Sequence, residues 1–461
     1  MPVSTEHPVI QSRRWYWRDA LLVVVICAAL LVSLRGHVWQ PGRGWSAYTP
    51  AVVSGDEPHY LMLINSVLLD GDLSLSEDYR AVERGELRAG NAFAGLSLDH
   101  HTWVVDPATG QRALWSSLYD WRHPRHCDAD DRSCRRWKKL DARLPESSQT
   151  RVEGPAHPPA HPILVAASLA PWVDRPDLVE TNALRLSVLW VLATLLAVSA
   201  LAAAFGLGRL GQLTVLTLTL VSPLSAYSRG LFSEPVAALT LVLGVLCWRR
   251  NRPLLSALIL AFAAAIKPPW ALIGIALMWR GWDTKRAQNG FRLCYGLSGV
   301  AIVMANFAWI SGPIISGQLG WQFIHEPSQL MATLIDGRHG LLTFTPWCVL
   351  ALPALWRNPA LAVLTPALAL LLVTMMLFGS LGEVCFGPRL WLPVVPLLAV
   401  AAVRSVHEVS VRSKPMLRRW LVLCGMWSLL AAWPGIVAWP MAWEQPAYAM
   451  VRLGLRVIMA H

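Results

Sequence analysis

The chain has 461 residues, of which 54% are hydrophobic and 15% charged, with a mean hydropathy of +0.42; this is too apolar for an ordinary soluble protein of that length. The formal net charge is +11, but Lys and Arg punctuate the gaps between apolar runs instead of gathering on one face, which argues against a nucleic-acid-binding protein and matches the positive-inside pattern. Period-2 alternation is absent from the long apolar runs, which argues against a transmembrane β-barrel.

In chain order, residues 1–19 form a basic cytoplasmic N-terminus, with Arg13, Arg14 and Arg18 ahead of a first membrane helix over 20–35. No small-x-small cleavage site follows, and Ile26 before Cys27 does not suit a lipoprotein site, so this segment reads as a retained signal anchor. Residues 36–182 then form a large extracytoplasmic loop. Early in it, Gly55-Asp56-Glu57-Pro58-His59-Tyr60 predicts a helix start, with Pro58 in the first turn and both carboxylates at the positive end. Asp70-Gly71-Asp72 has the form of the DxD motif of nucleotide-sugar transferases, but a glycine after an amphipathic segment is a normal helix stop.

Further along the loop, Cys127 and Cys134 have six residues between them in a compartment that permits oxidation, so a local disulfide is expected. The other cysteines are scattered without a CxxC, which argues against a metal cluster. His157 and His161 follow in a proline-rich run, Gly154-Pro155-Ala156-His157-Pro158-Pro159-Ala160-His161-Pro162. The apolar stretch 161–172 reaches only about 20 Å as helix, short of a hydrocarbon core of about 30 Å. It is therefore expected to be a juxtamembrane or re-entrant helix, and 184–205 becomes the second full crossing.

Charge parity over the transmembrane bundle, 183–440, agrees with that assignment. Arg209, the Arg249 to Arg252 run, Arg280 to Arg292, Arg357 and Arg404 to Arg419 fall inside, while 227–234 and 379–389 fall outside. Gly206-Leu207-Gly208-Arg209-Leu210-Gly211 fits GxGxxG, but it joins two membrane helices and reads as a tight cytoplasmic turn. The run 253–279 has Lys267 at its middle, where a lysine costs roughly 2.5 to 3.5 kcal/mol on insertion. Splitting the run at Lys267-Pro268-Pro269 puts the lysine at the outer mouth and keeps both basic ends cytoplasmic. Tryptophans such as Trp15, Trp17, Trp39, Trp45, Trp433 and Trp439 cluster near span ends as an aromatic belt. Residues 441–461, with Trp443, Tyr448, Leu453 and Ile458, are expected to form an extracytoplasmic interfacial tail. The expected fold is an all-α polytopic integral membrane protein with about eleven transmembrane helices and a large first extracytoplasmic loop containing juxtamembrane helices.

This topology gathers the unusual polar residues on one side: Asp56, Glu57, Tyr60, His157, His161, Arg229, Glu234, Lys267, Arg338, His339, Glu383 and Arg389. Ionisable residues at a membrane face mark function more often than packing. A carboxylate base with several cations nearby suits transfer to a hydroxyl from a phosphate leaving group. Each also has a plainer reading, Asp56 and Glu57 as helix caps, the histidines as turn residues, and Lys267 or Arg389 as headgroup anchors.

The Asp56-Glu57-x-x-Tyr60 motif, the Pro158-Pro159 segment before a short helix, Ala183-Leu184-Arg185-Leu186, and Ser222-Pro223 followed by Tyr227-Ser228-Arg229 together resemble the glycosyltransferase C superfamily. Ala265-Ile266-Lys267-Pro268, Gly340-Leu341-Leu342 with Thr345-Pro346, and Phe386-Gly387-Pro388-Arg389-Leu390 extend the resemblance over most of the chain. Protein O-mannosyltransferases and the lipid A aminoarabinose transferase are the members it is most similar to. The resemblance implies a bacterial inner-membrane enzyme, with its site on the periplasmic side, that takes sugar from a polyprenyl-phosphate donor to a hydroxyl acceptor. It implies that Asp56 is the catalytic or acceptor-orienting acid with Glu57 as partner, that Glu234 is the acid of the second outer loop, and that Lys267 and Arg389 hold the lipid phosphate. No cofactor is assigned, and the metal question stays open between none and a divalent ion. His157 and His161 depart from the family pattern, and the insert over about 80–153 has no counterpart in it. A transporter or flippase, and an O-antigen polymerase or ligase, are the rival classes; the first predicts internal repeats and the second a large late loop, and neither is found in the sequence.

Overall fold

The computed structural model describes residues 17–40, 44–47, 52, 56–73, 75, 102–105, 112–114, 151–155, 158–175, 178–280, 284–310, 327–378, 386–409, 413–437, 447, 449 and 451–452. Helix α1 (Trp17–Arg35) ends at Gly36 and leads into a hairpin of β1 (His37–Gln40) and β2 (Gly44–Ala47), antiparallel with His37 opposite Ala47. Helix α2 (Glu57–Asn65) relaxes into a wider turn over Ser66–Asp70 and stops at Gly71, whose φ of 72° is left-handed. That glycine is the helix stop expected from the sequence, so Asp70-Gly71-Asp72 serves here as a terminator.

A second sheet sets β3 (Thr102–Val105) between β4 (Arg112–Leu114) and β5 (Arg151–Pro155), within the long segment that follows α1. These strands stand beside the juxtamembrane helices expected in this loop and leave the fold all-α in class. Segments of three to five residues are too short to register an alternating pattern, although Trp103, Val104 and Val105 favour a pleated surface.

The chain then enters α3 (Ala160–Leu169), extended by a 3-10 turn over Ala170–Trp172, and α4 (Val179–Ala204). At ten residues α3 is too short to span, as its length in the sequence implied. Helix α5 (Arg209–Leu220) bends by 57° into a 3-10 segment, Pro223–Arg229. Helix α6 (Glu234–Arg249) and α7 (Pro253–Ile266) follow, and Lys267 adopts an extended backbone before the turn Pro268–Trp270 and α8 (Ala271–Arg280). The break falls where the paired prolines demand it, because the residue before a proline is driven out of the helical region. Helix α9 (Lys285–Ile310), α10 (Pro327–Ile335), four short helical segments between Leu341 and Ala362, and α11 (Thr365–Phe378) complete the middle of the chain. A 3-10 segment, Arg389–Val394, runs into α12 (Val395–Glu408), and α13 (Lys414–Val437) follows.

Among the described residues, three helical stretches are long and apolar enough to cross a membrane, or up to five if each bent pair is one span: Val179–Ala204, Arg389–Glu408 and Lys414–Val437, with Arg209–Arg229 and Pro346–Thr374 as the bent pairs. The run 253–279 is broken into two shorter apolar helices, Pro253–Ile266 and Pro268–Trp279, as the split at Lys267 implies. The outward stripes suit lipid. On α9, Leu293, Leu297, Val300 and Met304 repeat at helical spacing and are all exposed, as are Leu254 and Leu258 on α7 and Val422, Leu423 and Met426 on α13.

The core of the bundle joins α4 to α8, α12 and the short segments before α11, through residues such as Leu201, Val215, Val242, Leu260, Ile273 and Val400. A separate buried cluster welds α2 and α3 to the start of α4: Tyr60, Leu61, Met62, Ile64, Val165, Leu169, Leu184 and Leu231. This second cluster matters for function, because it fixes the beginning of α2 over the end of the bundle where α6 starts and α7 stops.

Candidate active site

Asp56 occupies the N-cap position of α2, yet its side chain caps no backbone amide. Its carboxylate is turned away from the helix and pairs with Nη2 of Arg389. The capping reading of Asp56 is therefore replaced by an ion pair between residues 333 positions apart. Glu57 goes elsewhere: its Oε1 accepts a hydrogen bond of 2.6 Å from the amide of Leu231, which ties α2 to the segment preceding α6. The two adjacent carboxylates thus have separate partners.

Arg389 also reaches Glu234, whose Oε1 lies 2.8 Å from its Nε and 2.5 Å from Nζ of Lys267. The result is a continuous chain, Asp56, Arg389, Glu234, Lys267, with two carboxylates facing two cations. Asp56, Glu234 and Arg389 are buried, and Lys267 keeps 17% of its side chain exposed, which makes it the member nearest the outside. Each residue sits at an element boundary: the starts of α2 and α6, the extended residue after α7, and the start of the 3-10 segment before α12. Side chains at boundaries converge without requiring any helix to be interrupted at its middle.

The local chain explains the placement of Arg389. Gly387 has φ +62°, a conformation costly for residues with a Cβ, and it packs against Pro223 and Phe344. Phe386 is held by an edge contact with Phe344, and its carbonyl accepts a hydrogen bond of 2.8 Å from the Tyr227 hydroxyl. A Cβ on Gly435 of α13 would lie 2.3 Å from the Phe386 ring, so that glycine makes room for the ring. The guanidinium of Arg389 then lies 4.5 Å over the ring of Phe232, a cation–π contact beside its two carboxylates.

Tyr60, one turn beyond Asp56, is buried with its hydroxyl 3.5 Å from Ser233 Oγ. Burial, reinforced by the charges of Asp56 and Glu234, pushes its phenol well above the usual range, so it stays protonated. His161 of α3 meets the Tyr60 ring edge-on at 5.0 Å. Its imidazole is 1% exposed, and burial pushes its pKa down to about 4 despite opposing attraction from Glu234 and Asp56. It is neutral at pH 7, and neither ring nitrogen has a hydrogen-bond partner among the described residues.

The remaining expected site residues stand apart from this network. Arg229 is a clamp, donating from Nη1 to the carbonyls of His37 and Ile436 and so tying the β1–β2 hairpin to α13. Arg338 and His339 belong to a turn organised by Asp336, whose Oδ2 accepts from both backbone amides. His157, Glu383, Cys127 and Cys134 lie outside the described residues. Phe232, Ser233 and the Leu231 amide belong to the site but carry no signal of their own; they are marked only by adjacency to Glu234.

The donor set of the described residues does not fit a resident metal. Among the described residues no three His, Cys, Asp or Glu side chains group as ligands, and the carboxylates of Asp56 and Glu234 are already directed at Arg389 and Lys267. What the arrangement offers is a buried base beside two cations, a combination suited to stabilising negative charge that develops on a leaving group.

No protein-family model matches the chain, and no curated protein matches it. Among solved structures it is similar to the crystal structure of ArnT from Cupriavidus metallidurans bound to undecaprenyl phosphate, at 12% identity over 95% of this chain and 78% of that one, with a TM-score of 0.47.

Proposed function

We propose that the chain is a membrane glycosyltransferase that moves a sugar from a polyprenyl-phosphate donor to a hydroxyl acceptor at the outer membrane face. The observation that carries this reading is the convergence of Asp56, Arg389, Glu234 and Lys267 in one buried network. Four charges removed from water are weak evidence of stabilisation, since their desolvation offsets much of their mutual attraction. A cluster of this kind at a membrane face calls for a functional reason, and the motifs that resemble the glycosyltransferase C superfamily supply a consistent one.

In the reaction proposed, Asp56 accepts the proton of the acceptor hydroxyl as its oxygen attacks the anomeric carbon. The bond from that carbon to the phosphate oxygen breaks, and the charge that grows on the lipid phosphate is met by Lys267 and Arg389. Attack from the face opposite the phosphate inverts the anomeric centre, which requires one carboxylate base in place of the nucleophile and acid pair of a retaining hydrolase. Arg389 has two duties, pairing with Asp56 and facing the phosphate, and its fork of donors can serve two anions at once where a lysine cannot. Tyr60 positions the start of α2, and Glu57 fastens that helix to the residues before α6.

Mass spectrometry of envelope glycolipids and glycoproteins from cells with and without the gene tests the reading. A sugar modification that disappears with the gene and returns with wild-type protein is the expected result. An unchanged glycan profile, together with counterflow of substrate through purified protein without a covalent product, would place the chain among transporters.

A further inference from the structure

We propose that His161 and Oε2 of Glu234 form a subsite for hydroxyl groups of the transferred sugar, beside the cations that face the phosphate. This rests on the function proposed above and assigns a separate part of the donor to each half of the cluster. The imidazole of His161 is 1% exposed, yet neither Nδ1 nor Nε2 has a hydrogen-bond partner among the described residues. A histidine that served packing alone would be expected to satisfy at least one ring nitrogen, because buried polar atoms are almost always paired. Among the described residues Oε2 of Glu234 has no partner either, while Oε1 of the same carboxylate takes both Lys267 and Arg389. The histidine belongs to the same neighbourhood: Glu234, Lys267 and Asp56 all act electrostatically on its ring, and Tyr60 meets it edge-on.

The chemistry of these atoms selects the ligand. A neutral imidazole offers one donor and one acceptor, and the carboxylate oxygen accepts only. A phosphate diester anion has no proton to give Glu234 and would be repelled by it, so the anion belongs on the side of Lys267 and Arg389. A sugar hydroxyl can donate to Oε2 of Glu234 and both give to and take from the imidazole. The pair therefore fits a neutral polyol, and pairing buried polar groups of this kind is where discrimination between sugars is strongest.

The test uses the full-length protein in nanodiscs, with undecaprenyl phosphate and its glucosyl, galactosyl and mannosyl phosphodiesters as probes. Wild type is expected to bind at least one hexosyl lipid about tenfold or more tightly than bare undecaprenyl phosphate. His161→Phe, which keeps the ring contact with Tyr60 but removes both nitrogens, is expected to lose that advantage while its affinity for the bare lipid stays within about twofold; His161→Gln is expected to keep part of it. In wild-type protein labelled with 15N-histidine, the preferred hexosyl lipid shifts the His161 ring-nitrogen resonances and the bare lipid does not, a readout that needs no folded variant. Retention of the advantage in His161→Phe, an equal loss for bare and hexosyl lipids, or unmoved resonances on hexosyl binding would overturn the subsite. Wild type that binds bare lipid without favouring any hexosyl form also overturns it and leaves the lipid-phosphate reading standing. Wild type that binds neither overturns the proposed function and the subsite with it.

Discussion

At the scale of single residues, Arg389 is the member on which the network depends, because it contacts both carboxylates while lying over Phe232. Arg389→Ala leaves Asp56 and Glu234 short of a counter-charge in a buried site, and removal of one partner from such a pair costs roughly 3 to 5 kcal/mol. Thermal unfolding in detergent should show that loss, and Arg389→Lys should recover only part of it, since one ammonium cannot reproduce two contacts made through Nε and Nη2. His161 provides a second prediction with a defined sign. Its folded pKa of about 4 lies below the usual 6.5, so between those values the unfolded chain binds a proton that the folded chain refuses. Stability supplied by the neutral ring is full above pH 6.5 and is lost as pH falls toward 4. Relative to His161→Gln, in which the rest of the charged cluster is unchanged, wild type should lose roughly 3 kcal/mol between pH 7 and pH 4. Equal pH dependence of the two proteins would show that the imidazole is not held neutral.

At the scale of elements, boundaries were legible and partners were not. Lys267-Pro268-Pro269 announces its own break, and the helix stop at Gly71 and the turn at Gly206 follow from glycine chemistry, with φ +72° and +76° respectively. The short length of α3 was evident from its prolines. By contrast, the divergence of Asp56 and Glu57 was hidden, because adjacent acids before a proline look alike until their partners 333 and 174 residues away are known. The strands β1 to β5 were hidden for a different reason, being too brief for a periodic signal. Phe232 was equally silent, since an aromatic residue beneath a guanidinium and one in a core have the same sequence context. The contact between α13 and the segment carrying Arg389 is testable at this scale. Gly435→Val places a Cβ 2.3 Å from the present position of the Phe386 ring, and overpacking of this kind costs roughly 1 to 3 kcal/mol. Activity should fall as the turn at Gly387 moves, and Phe386→Leu in the same protein should restore part of it; additive losses in the double variant would show that the two positions are not coupled.

At the scale of the whole molecule, charge parity assigns Asp56, Glu234, Lys267 and Arg389 to one face, and these four side chains meet in one network. Asn251, in the turn between α6 and α7, should lie on the opposite side of the membrane from Arg338. With the eight native cysteines replaced by alanine, Asn251→Cys should react with an impermeant maleimide only from the cytoplasmic side, and Arg338→Cys only from outside. Labelling of both from one side would invalidate the topology.

The central claim is that Asp56 acts as the base in a transfer of sugar from a lipid phosphate, and it is tested most directly by turnover. Purified protein in nanodiscs, supplied with a hexosyl undecaprenyl phosphate donor and an envelope lipid acceptor fraction, should release undecaprenyl phosphate. Asp56→Asn keeps the shape of the site and removes the proton acceptor, so turnover should fall by about 10²- to 10⁴-fold while the protein still binds undecaprenyl phosphate. Release at the wild-type rate from a folded Asp56→Asn protein would contradict the account.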